Sequence, residues 1–68
     1  MDKYILTKRE KEVFKLLVTN MSTKEIAEEL NISEKTVRNH ISNAIQKLGV
    51  KGRAQAVVEL LRMNIISL

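Results

Sequence analysis

The chain has 68 residues, twelve Lys and Arg against eight Asp and Glu, a net charge of +4, one His, and neither Cys nor Pro. A domain this small buries only about 60% of the surface its unfolded chain exposes, and without Cys it has neither a disulfide staple nor a Cys-rich zinc site to help, so helix packing, with or without dimerisation, must hold it together. Apolar runs such as Ala56-Val57-Val58 fall far short of the ~20 residues that span a bilayer, so a soluble cytoplasmic protein without a cofactor is expected.

One Tyr, one Phe and two Gly argue against a sheet and for a single all-α domain over residues 1–68. Thr7 with Glu10 has the spacing of a capping box, in which the hydroxyl accepts the third amide of a helix and the carboxylate returns to the cap amide. A first helix from about 7 to 19 follows, with Val13, Phe14, Leu17 and Val18 as its apolar stripe, and Asn20 as the left-handed residue that ends it. Ser22 with Glu25 repeats the box and opens a short second helix from about 23 to 30, with Ile26, Ala27 and Leu30 on one side. Ser33 caps a third helix from about 34 to 48, in which Val37, Ile41, Ala44, Ile45 and Leu48 recur at three- and four-residue steps until Gly49 stops it. A fourth helix, from about 53 to 64, carries Ala54, Val57, Val58, Leu60 and Leu61, more apolar surface than one buried stripe needs. The last residues, 64–68, are expected to fray.

Helices two and three, joined by Asn31-Ile32-Ser33, have the arrangement of a helix-turn-helix. Ala27 is small where a larger side chain would push the third helix away, and Asn31 stands where a turn Gly is usual, as another residue that tolerates positive φ. With Val37, Ile41, Ala44 and Leu48 facing inward, the opposite face presents Lys35, Arg38, Asn39, Ser42 and Gln46. No acid occurs from Lys35 to Val58, whereas Lys35, Arg38, Lys47, Lys51 and Arg53 do, so that stretch attracts phosphate by charge and counterion release. Arg38 has the donors for guanine, Asn39 can pair with both edge groups of adenine, and Ser42 is small enough to let the helix sink into a major groove. Lys35, Thr36, Asn43 and Lys47 flank them and are expected to reach phosphates, which position a helix without reading sequence.

A polar helix face is ordinarily just solvated, and only the helix-turn-helix pattern gives this one a function. For Lys47, Lys51 and Arg53 taken singly, solvation and phosphate contact both stay open. His40 borders the apolar side and reads as a packing residue, since no second His or Cys exists to share a metal; Met21 and Met63 read as core filler.

The runs Leu6-Thr7-Lys8-Arg9-Glu10, Lys24-Glu25-Ile26-Ala27, Ile32-Ser33-Glu34-Lys35-Thr36-Val37, His40-Ile41 and Lys47-Leu48-Gly49-Val50-Lys51-Gly52-Arg53 resemble the LuxR-type helix-turn-helix domain over essentially the whole chain. In length, and from Lys35 to Ala44 and Ala56 to Met63, the sequence is most similar to a free-standing family member that regulates spore formation. The resemblance implies a four-helix fold, a helix-turn-helix without a wing. It implies a homodimer that binds roughly palindromic double-stranded DNA at promoters, controls late sporulation genes, touches RNA polymerase and needs no small-molecule ligand. It places the protein at the nucleoid, puts the third helix in the major groove with contacts at Arg38, Asn39 and Ser42, and dimerises through the last helix. Asn20 departs from the family's usual Gly. Ala54, Val58, Leu61 and Ile65 then make one stripe of the fourth helix, expected either as the dimer contact or as a second side of the monomer core.

Other readings are an output domain of a longer response or quorum-type regulator, and a protein-interaction or RNA-binding module, although exposed aromatics to stack single-stranded bases are missing. An enzyme finds no nucleophile and base pair, carboxylate dyad, phosphate-cradling Gly loop or metal set.

Overall fold

The computed structural model describes residues 6–68. Its helices are α1 (Lys8–Leu17), α2 (Thr23–Leu30), α3 (Glu34–Leu48) and α4 (Arg53–Arg62), with no strand among the described residues. Three of them begin at the hydroxyl that the sequence marks. Thr7 and Ser22 each close a complete capping box, with Glu10 and Glu25 as the returning carboxylates, and the Ser33 hydroxyl accepts the Thr36 amide at 3.0 Å. Each such cap satisfies a helix donor that would otherwise lack a partner.

The left-handed positions fall where the chain must reverse. Asn20, Asn31 and Asn64 have φ of 70°, 58° and 59°, and Gly49 has φ of 69°. At Asn31 the chain folds back so that the Ile32 amide donates to the Ala27 carbonyl at 3.0 Å. α1 stops at Leu17, short of Thr19: the last turn tightens, with the Thr19 amide and hydroxyl both donating to the Leu16 carbonyl at 3.1 and 2.6 Å, before Asn20 turns left-handed.

The C-terminus differs from the expected fraying. α4 ends at Arg62, the chain turns at Asn64, and the Ile65 amide closes on the Leu60 carbonyl at 2.9 Å. That turn drives Ile66 into the core, where it is 4% exposed. A short apolar tail is thereby used as core, which a domain of this size needs.

α3 is the centre of the packing and touches α1, α2 and α4. Val13, Phe14, Ile26, Val37 and Leu60 are its largest fully buried neighbours or members. The helix that carries the polar face therefore also carries the core.

Candidate nucleic-acid interface

Burying Val37, Ile41, Ala44 and Leu48 on one side of α3 fixes which residues lie opposite, because the helical period leaves no freedom once one stripe is set. Lys35, Arg38, Asn39, Ser42, Asn43 and Gln46 are all exposed. Thr36 is half-buried, and its hydroxyl sits 2.9 Å from that of Ser33. Arg38 donates from Nη1 to Glu34 Oε2 at 3.3 Å, and the same oxygen accepts the Thr23 hydroxyl at 3.3 Å. The first turn of α3 is thus tied to the first turn of α2 across the motif. Ala27 is buried in the wedge between the two helices.

Lys47 is placed differently from the other flanking residues. Its ammonium donates to both oxygens of Glu10, at 2.9 and 3.0 Å, and so joins α3 to α1. Glu10 is 2% exposed and also accepts the Thr7 amide at 2.8 Å. Burial alone would raise the Glu10 carboxyl, but the bonds from Lys47 and Thr7 outweigh it and hold the group below its ordinary value of 4.5. Lys47 thus secures the Glu10 carboxylate from a side chain that is itself 36% exposed, and an ammonium has a third N–H beyond these two bonds. The two residues lie 37 apart in sequence, and no local spacing signals the pair.

The expected stripe of α4 divides between its two readings. Ala54 is exposed and Val58 is 55% exposed, and together with Val50, Gln55, Glu59 and Arg62 they line one open groove. Leu61 instead leans half-buried on the core, and so does Ile65, which lies beyond the end of the helix. Four apolar residues at helical steps therefore split into two that face outward and two that complete the monomer. Gln55 further closes the Lys51 amide at 2.8 Å, where Gly52 offers no side-chain cap.

Among the described residues, no group of three or more His, Cys, Asp or Glu is arranged to hold a metal ion, and no helix is long and apolar enough to cross a membrane.

Residues 4–60 match the family of bacterial regulatory proteins, luxR family. The chain is 76% identical over 66 residues to the spore germination protein GerE of Bacillus subtilis (strain 168), covering 97% of this chain and 89% of that one. It is 52% identical over 59 residues to the transcriptional regulatory protein DegU of Brevibacillus brevis, covering 87% of this chain and 25% of DegU. Among solved structures, the transcription factor GerE superposes with a TM-score of 0.89 at 66% identity, over 91% of this chain and 92% of that one. The Vibrio cholera VqmA–ligand–DNA complex superposes with a TM-score of 0.84 at 29% identity, over 96% of this chain and 28% of VqmA. With the helix-turn-helix geometry above, these matches establish that the chain belongs to the luxR family of bacterial regulatory proteins and is a DNA-binding transcription regulator of that family.

Proposed function

We propose that the protein acts as a homodimer on a roughly palindromic double-stranded site, at promoters of late sporulation genes, in the cytoplasm at the nucleoid. The observation that carries the reading is the outward face of α3, which is polar, free of acid from Lys35 onward and exposed along its length. On it Arg38 and Asn39 read base edges, Ser42 allows close approach, and Lys35, Thr36, Asn43 and Lys47 position the helix on phosphates. Ala54 and Val58 form the centre of the dimer contact, with Leu61 at its edge. A two-fold axis there sets two α3 helices about 34 Å apart, one turn of DNA. The remaining surface is left to RNA polymerase, and no small-molecule ligand is required. The sporulation assignment rests on the 76% identity to the spore germination protein GerE.

Selection of bound duplexes from a random pool at near-physiological salt tests this reading. Enrichment of an inverted repeat with half-sites one helical turn apart is expected, and enrichment of a single unpaired half-site would remove the dimer from it. A second reading, as the output module of a longer regulator, is favoured by DegU, of which the chain covers 25%; such a module would bind the same half-sites.

A further inference from the structure

Glu34 stands in the first turn of α3, where an acid suits the helix dipole, and it is also bonded to Arg38 of the reading face. Its side chain and that of Arg38 are 44% and 56% exposed, and an exposed pair of this kind adds little to folding. It nevertheless has two legs, since Glu34 Oε2 takes both the Arg38 guanidinium and the Thr23 hydroxyl of α2. Thr23 thereby fixes the carboxylate, and the carboxylate fixes the guanidinium.

We infer that Glu34 is a specificity-determining positioning residue, which holds one edge of Arg38 and cancels its charge, so that Arg38 serves guanine and contributes little to sequence-independent binding. The inference rests on the base-reading role proposed for Arg38. A guanidinium has five N–H donors in a rigid fork. With one Nη1 hydrogen committed to Glu34, the edge formed by Nε and Nη2 stays available for the two acceptors of guanine in the major groove. The plane of the fork is set before DNA arrives, which lowers the ordering entropy of that contact.

The same carboxylate acts against binding to any other sequence. Glu34 is the first residue of α3, where unpaired amides and the helix dipole would otherwise attract a phosphate. Placing a negative charge there, beside the cation that would add to that attraction, weakens the hold of α3 on the DNA backbone wherever no guanine faces Arg38. Specificity is a difference of affinities, and it rises when the competing binding is weakened.

The test is Glu34→Gln, which keeps an acceptor for Thr23 and Arg38 and removes the charge alone, measured on a duplex selected from a random pool and on a mixed-sequence duplex of equal length. Affinity for the mixed duplex is expected to rise about five-fold, the worth of one unit charge at contact range in water, with a salt dependence steeper by about one ion. Affinity for the selected duplex should change less than about two-fold, because weaker repulsion is offset by a weaker grip on Arg38, so selectivity falls. With Arg38→Ala already present, Glu34→Gln should raise binding to both duplexes equally. An equal rise on both in the presence of Arg38, or no change on either, would overturn the inference and leave base reading by Arg38 standing. If Arg38→Ala alone weakens both duplexes equally, the base-reading role falls, and the role of Glu34 with it.

Discussion

α3 and α4 are both amphipathic helices anchored by a buried stripe, and they differ in what they turn outward. α3 buries Val37, Ile41, Ala44 and Leu48 and presents amides, a hydroxyl and cations. α4 buries Ala56 and Leu60 and presents Ala54 and Val58. Donors and cations recognise a partner that is itself polar and charged, and they gain affinity by releasing ions. An exposed valine beside an alanine gains only by removal from water, which suits a second identical face. On the proposed reading two similar helices are set on one core for two kinds of association, and substitutions on either side of each should separate the effects.

The largest separation is expected on α4. Val58→Asp should remove about 3–5 kcal/mol of association energy, because an unpaired charge would be buried at the contact, while the thermal midpoint of dilute protein stays nearly unchanged. Sedimentation equilibrium and a melting curve on the same sample check both parts, and loss of helix in the monomer would move Val58 to the core. Leu60→Ala, two residues on and on the inward side, should do the reverse and lower folding stability by roughly 2–5 kcal/mol, read by urea denaturation.

On α3 the corresponding pair is Arg38 and Lys47. Arg38→Ala should weaken binding to the selected duplex by ~1–3 kcal/mol and spare random DNA. Lys47→Met should flatten the salt dependence of DNA binding by about one ion and destabilise the fold by about 1–2 kcal/mol, as charge-assisted bonds to Glu10 are lost. The smallest effect is on pH. The Glu10 carboxyl lies below 4.5 in the folded protein, so its contribution to stability is fully present above that value and is lost as pH falls through the folded one. Melting temperature should decline below about pH 4.5, and the decline attributable to Glu10 should be absent in Glu10→Gln.

Much of the frame was legible because it depends on local spacing. Thr7 with Glu10, Ser22 with Glu25, and Ser33 mark helix starts through bonds three residues apart, and Asn31 and Gly49 mark reversals through single-residue conformational preference. The Glu10–Lys47 pair was not legible, since it depends on how α1 lies across α3. For Leu61 the spacing left both the dimer contact and the core open, and the Asn64 turn that carries Ile65 off the helix and buries Ile66 was not legible, for a related reason. Helical periodicity continues on paper past Arg62, and only packing decides that a bent tail serves the core better than another turn. The polar face of α3 could be assigned residue by residue, but the grip of Glu34 on Arg38 requires knowing which way two long side chains point.

Because α3 touches all three other helices, DNA that engages α3 becomes in effect a further structural element of a small fold. Whatever binds the folded state alone raises its apparent stability, by about 2.7 kcal/mol at a hundred-fold excess over Kd. A regulator of this size is consequently best protected from unfolding and proteolysis while it is seated on its target, and its lifetime is coupled to occupancy of the promoters it serves.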